Sequence, residues 1–136
     1  MHNRERAQVG ARPFRWDPAL ADAAAAYGPE LARHGRLVHA PPEVRRGQGE
    51  NLWMGTRGRY ALEAMFDSWA SEKRMFRPGV FPHVSTSADW RDIGHYTQLI
   101  WAGTVRVGCA VHSTAEWDYL ICRYAPAGNV IGERLP

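Results

Sequence analysis

The stretch Gly94 to Cys109, GHYTQLIWAGTVRVGC, constrains the fold more than any other part of the chain, because its hydrophobic period changes midway. Tyr96, Leu99, Ile100 and Gly103 recur at three- and four-residue steps, the spacing of one apolar helix face. His95 opens the first turn of that helix. Beyond it, Val105, Val107, Cys109 and Val111 alternate with Arg106, Gly108 and Ala110, which is the period of a half-buried strand. The histidine therefore falls at a junction, beside the core but reachable.

A second strand-like run, Trp117 to Tyr124, follows the polar connection HSTAEWD and carries Cys122. If the two runs form an antiparallel hairpin, Cys109 and Cys122 could face each other across it and form a disulfide. Two buried free thiols fit the same pattern. A disulfide would persist only in an oxidising compartment.

Upstream, Asn3 to Gly10 reads as a short helical or extended lead-in. Asp17-Pro18 announces a helix, since Asp caps a first turn and Pro is tolerated at its first position. Leu20, Ala24, Tyr27 and Leu31 continue it, with a kink or restart expected at Gly28-Pro29 and a stop at Gly35. Leu37 to Gly49 is loop-like, with His39 near its start and Glu50 just past its end. A further helix runs from Tyr60 to Phe76, with Leu62, Met65, Phe66, Trp69 and Phe76 on one stripe. In that helix Glu72 would lie about 20° from Met65, at the border of the buried face, where a carboxylate needs a partner. Arg77 to Ile93 is a long irregular connection of the kind that is often functional. The tail from Ala125 to Pro136 ends in turns.

With 136 residues there is room for one domain that buries its own core, and six tryptophans with five tyrosines suggest large aromatics within it. The net charge of +3 comes from scattered arginines, with Lys73 the only lysine and Arg45-Arg46 the only adjacent arginines. Such scatter describes a solvated surface rather than a nucleic-acid footprint. No segment reaches the roughly 18 apolar residues that a membrane span requires.

His39, Glu50, Glu72 and His95 make two imidazoles and two carboxylates at helix ends, loop ends and a core border. Such a set suits a metal held by neutral imidazoles with carboxylates behind them. It equally suits general acid and base chemistry, or a purely structural hydrogen-bonded network.

The segments HYTQLIW, YLICRYAPAGN and GENLW, with HNRERAQVG, PFRWDPALADAA and RLVHA in the same order, resemble the signature segments of the CAP superfamily. That group includes cysteine-rich secretory proteins, antigen 5 and plant pathogenesis-related proteins of group 1. The resemblance spans essentially all of residues 1–136, read as one CAP domain, and implies a three-layer α/β/α sandwich around an antiparallel sheet. It also implies a secreted or periplasmic location and a cleft in which His39, Glu50, Glu72 and His95 meet. His39 and His95 would hold a divalent ion, often zinc, and Cys109 would pair with Cys122. The chain departs from the pattern at Ala40, where serine is common, and it lacks the extra cysteines of eukaryotic relatives, as a minimal bacterial-type module would. His2, His34, His83 and His112 match no site motif and are read as surface residues.

The function implied is a monomeric, non-enzymatic module that binds a metal in its cleft and engages a lipid, a sterol or a protein partner. Phe81 and Trp90 of the long loop occupy the region tied to sterol binding in some relatives. The rival is a metal-dependent hydrolase with Glu50 or Glu72 as base.

Overall fold

The computed structural model describes residues 1–136. Three long strands form the sheet: β2 (Gly49–Thr56), β4 (Arg106–Ser113) and β5 (Trp117–Ala125). β5 is central and antiparallel to both neighbours. The two-residue β1 (Arg15–Trp16) adds to β4 in parallel, giving the order β1-β4-β5-β2. The sheet is therefore antiparallel except at that one edge.

Alternation along the strands builds two apolar layers. Leu52, Tyr119 and Ile121 face Ala24, Tyr27 and Leu31 of α2 (Pro18–His34). Val107, Leu120, Cys122 and Tyr124 face the opposite way, into the larger cluster with Phe66, Trp69, Leu99 and Trp101. That cluster lies beneath α1 (His2–Gln8), α4 (Leu62–Ala70) and α5 (Gly94–Ile100). The result is the α/β/α sandwich that the resemblance implies. Gly108 permits the close approach of α2: a Cβ there would stand 2.2 Å from the Ala21 backbone nitrogen.

Several sequence-based expectations need correction. α2 runs unbroken through Pro29. Proline removes one intrahelical hydrogen bond, but burial of Tyr27, Gly28 and Leu31 holds the helix together on both sides of it. The helix expected from Tyr60 to Phe76 ends at Ala70 and tightens into a 3₁₀ turn, Ser71–Met75. Leu62 is 42 % exposed rather than core. The loop after Leu37 contains the short α3 (Pro42–Arg45). The tail contributes β6 (Arg134–Leu135), which pairs with β3 (Gly79–Val80) of the long connection. Of the tryptophans, Trp69 and Trp101 are buried, whereas Trp16, Trp90 and Trp117 are exposed.

Cys109 and Cys122 stand opposite each other in the β4–β5 register and are joined as a disulfide. No helix is long and apolar enough to cross a membrane.

Candidate functional site

β2 is an edge strand, and its first residues carry the site. Glu50 projects toward the α2 side, where Arg123 of β5 lies fully buried above the Tyr27 ring. Asn51 projects the other way, donating to the Tyr124 hydroxyl and to the His95 carbonyl, each at 3.2 Å. His39 and His95 therefore reach the start of β2 from opposite faces of the sheet. They line one cleft of about 400 Å³ together with Arg45, Glu50, Asn51 and Trp90.

The two histidines are held alike. Glu50 Oε1 lies 2.7 Å from His39 Nδ1 and accepts the Ala40 backbone N–H at 3.0 Å. Glu72 Oε2 lies 2.7 Å from His95 Nδ1, and Glu72 Oε1 accepts the Tyr96 backbone N–H at 3.0 Å. Each carboxylate spans an imidazole Nδ1 and the next residue's amide. Carboxylate oxygens accept, so Nδ1 carries a proton, and it is Nε2 that is left to face a ligand. The Ala40 backbone amide completes this arrangement without a side chain at position 40.

Further contacts set each half. The second Glu50 oxygen takes the Arg123 Nε at 2.8 Å, and Arg123 Nη1 donates to Gln48 at 3.1 Å. Burial raises the Glu50 pKa, but the His39 hydrogen bond, the Arg123 charge and the Ala40 amide outweigh it and hold the carboxyl below its usual range. On the other side the Trp69 ring stacks on His95 at 5.9 Å between centroids and 15° between planes. Its Nε1 donates to the Leu52 carbonyl on β2 at 3.1 Å. Glu72 reaches His95 from the 3₁₀ turn, so the angular argument based on a continuous helix does not apply to it. Gly49 leaves room for the Gln98 side-chain amide in the cleft floor: a Cβ there would stand 2.1 Å from Gln98 Oε1 and displace it.

Neutral imidazoles with carboxylates on Nδ1 are the usual outer-shell arrangement of a metal-binding histidine pair. The tetrad does not gather three ligand atoms within 4.8 Å; the only group that does is His2 with Cys109 and Cys122. Those sulfurs are bonded to each other and offer no thiolate, so that group is not a metal site. In the His/Glu cleft, His39 and His95 are the residues that could hold an ion.

A second cavity, about 390 Å³ and mostly apolar, opens between α1, α4 and the sheet. Its lining includes His2, Phe14, Leu62, Phe66, Val111 and the disulfide. His2 is not a surface residue. Its ring packs on Phe14, Phe66 and Tyr124, its Nε2 lies 2.8 Å from the Tyr124 hydroxyl, and burial lowers its pKa to about 3. His112 is half-buried against Gly28, whereas His34 and His83 are exposed.

Sequence reasoning missed Arg123, Arg45, His2 and Arg6. Arg6 is fully buried, donating to the carbonyls of Arg12, Leu99, Trp101 and Thr104 with Phe14 beneath its guanidinium. Nothing in its spacing marks it, because three of its four partners are backbone oxygens more than 90 residues away. Phe81 is 1 % exposed and packs edge-on against Trp90, so of the two loop aromatics only Trp90 reaches the cleft.

The α/β/α fold agrees with the outcome of comparison with known proteins. Residues 1–124 match the profile described as CAP: Cysteine-rich secretory protein family, and the chain belongs to that family. It is 38 % identical to pathogenesis-related protein 1C of Nicotiana tabacum over 134 residues, covering 97 % of this chain and 74 % of that protein. It is 36 % identical to pathogenesis-related leaf protein 4 of Solanum lycopersicum, covering 98 % and 78 %. Among solved structures, NaASP2 with Zn2+ matches with a TM-score of 0.79 at 23 % identity, covering 98 % of this chain and 79 % of that one. Schistosoma mansoni venom allergen-like protein 4 matches at 0.69 and 19 %, covering 99 % and 90 %.

Proposed function

We propose that this chain is one CAP module that binds a divalent metal ion, zinc by preference, through His39 Nε2 and His95 Nε2. The reading is carried by the two matched carboxylate clamps, which engage both Nδ1 atoms and leave both Nε2 atoms without a protein partner, with both rings lining one cleft. Glu50 and Glu72 orient the rings, each bridging an imidazole Nδ1 and the following backbone amide. No serine, threonine, cysteine or tyrosine lines the cleft, which speaks against a hydrolase using a side-chain nucleophile. The fold shared with NaASP2, solved with Zn2+, adds support. Anomalous diffraction from zinc-soaked crystals tests this: a peak about 2.0–2.1 Å from both Nε2 atoms is expected. A cleft without such a peak contradicts it.

The apolar cavity supports the second half of the function, binding of a lipid or sterol. Its volume lies within the roughly 300–1,000 Å³ of small-molecule sites, and its walls are hydrophobic. Saturable uptake of a labelled fatty acid or sterol, lost in Leu62→Glu, is the expected result. Uptake that Leu62→Glu leaves unchanged would place such a ligand elsewhere. The disulfide supports a secreted or periplasmic location.

A further inference from the structure

The cleft also contains a cation without an anion. Arg45, in α3, is half-buried on the cleft wall. Its Nε donates to the Ala40 carbonyl at 2.7 Å, which orients the guanidinium and leaves Nη1 and Nη2 without a protein acceptor. No carboxylate stands within ion-pair distance of it. Glu50 is committed to His39, Ala40 and Arg123. Arg91, the other arginine of the cleft, is closed on Asp89 by bonds of 3.0 and 2.9 Å. The floor amides are also engaged: Gln98 bonds Thr104 and Gly128, and Asn129 bonds Thr97 and Gly94. Beyond the two imidazole Nε2 atoms, the Arg45 fork is the charged group left to meet a ligand.

We propose that the cleft takes a small molecule bearing an oxyanion, a carboxylate or a phosphate group, which occupies an open position on the metal and is gripped by Arg45. This rests on the metal reading above. Two protein nitrogens leave a four-coordinate ion at least two positions short. A doubly charged ion beside an unpaired guanidinium favours an anionic ligand, and the guanidinium fork matches carboxylate and phosphate geometry. The cleft volume of about 400 Å³ exceeds what a bare ion needs. The ring of Trp90, 38 % exposed in the lining of the same cleft, offers a surface for the body of the ligand. Arg45 is thus a residue that selects the ligand rather than one that holds the metal.

Cobalt(II) in place of zinc makes the test spectroscopic. The cobalt-loaded protein is titrated with acetate and, separately, with methylphosphonate at fixed ionic strength, while the visible absorption of the metal is followed. A saturable spectral change is expected with at least one of them, and the one that responds more strongly assigns the acid group. Arg45→Gln should weaken that anion at least tenfold while cobalt affinity stays within twofold, which also shows that the variant is folded. Arg45→Lys, which keeps charge but loses the fork, should fall between, and Arg91→Gln should bind as the unaltered protein does. Equal anion affinity in Arg45→Gln, or no spectral response to either anion from a cobalt-loaded protein, overturns the inference and leaves the metal reading standing. Failure of the unaltered protein to bind cobalt or zinc overturns the metal reading and the inference with it.

Discussion

Glu50 and Glu72 hold their histidines by the same device from opposite faces of the sheet, but only Glu50 also neutralises a buried arginine. Both carboxylates bond an Nδ1 at 2.7 Å and the following amide at 3.0 Å. Glu50 alone adds Arg123, whose Nη2 is already buried without an acceptor. Breaking a buried ion pair from one side costs about 3–5 kcal/mol, whereas losing hydrogen bonds at a partly exposed carboxylate costs about 1–3 kcal/mol. Glu50→Ala should therefore destabilise the fold clearly more than Glu72→Ala in urea denaturation. Equal losses would mean that Arg123 does not depend on Glu50.

Stability should fall on the acid side for two reasons with the same sign. Burial, with the chain's N-terminal charge and Arg6 adding to it, lowers the His2 pKa to about 3, so the unfolded chain takes up that proton first. The stability is complete above the unfolded value of about 6.5 and is lost progressively below it. Glu50 is also held low, so its contribution is present above about pH 4.3 and is lost as pH falls through its folded pKa. Melting temperature measured against pH should decline from about 6.5 downward. In His2→Phe the decline should begin nearer pH 4.5, from a lower plateau because the Tyr124 bond is gone. An unchanged onset would show that His2 titrates freely.

The disulfide closes a short loop, with a sequence separation of 13, across the central hairpin. On the chain-entropy account such a loop contributes about 3 kcal/mol. Cys109→Ala with Cys122→Ala should lower the urea midpoint accordingly while leaving metal affinity in place, because both cysteines line the apolar cavity and not the cleft, although Cys122 stands opposite the cleft residue Asn51 in the β2–β5 register. Loss of metal binding in that folded variant would link the hairpin to the cleft.

What the sequence made legible was whatever repeats along it. The switch of period between Gly103 and Val105 announced α5 and β4, while the two strand-like runs only allowed Cys109 and Cys122 to face each other, and the resemblance implied their pairing. Asp17-Pro18 marked the start of α2, and Asp17 does accept the Ala19 N–H. The length of α4 was misread because the stripe through Phe76 persists although the backbone tightens after Ala70. β3 and β6 were missed because two-residue strands carry no period. For the tetrad, spacing alone could not bring His39 beside Glu50 or His95 beside Glu72, since each pair is closed by tertiary packing. The motif resemblance supplied those positions. Arg123 and Arg6 broke the rule that charge lies outside, and only the three-dimensional partners explain them: a carboxylate for one and four backbone carbonyls for the other.

The most direct test of the metal cleft is a calorimetric zinc titration of the purified protein near neutral pH, run beside His39→Ala and His95→Ala. One saturable site in the unaltered protein, abolished by either substitution while both variants remain folded, is the predicted result. Zinc binding that survives both substitutions, or no binding by the folded unaltered protein, would contradict the account and leave the two His–Glu pairs as structural clamps.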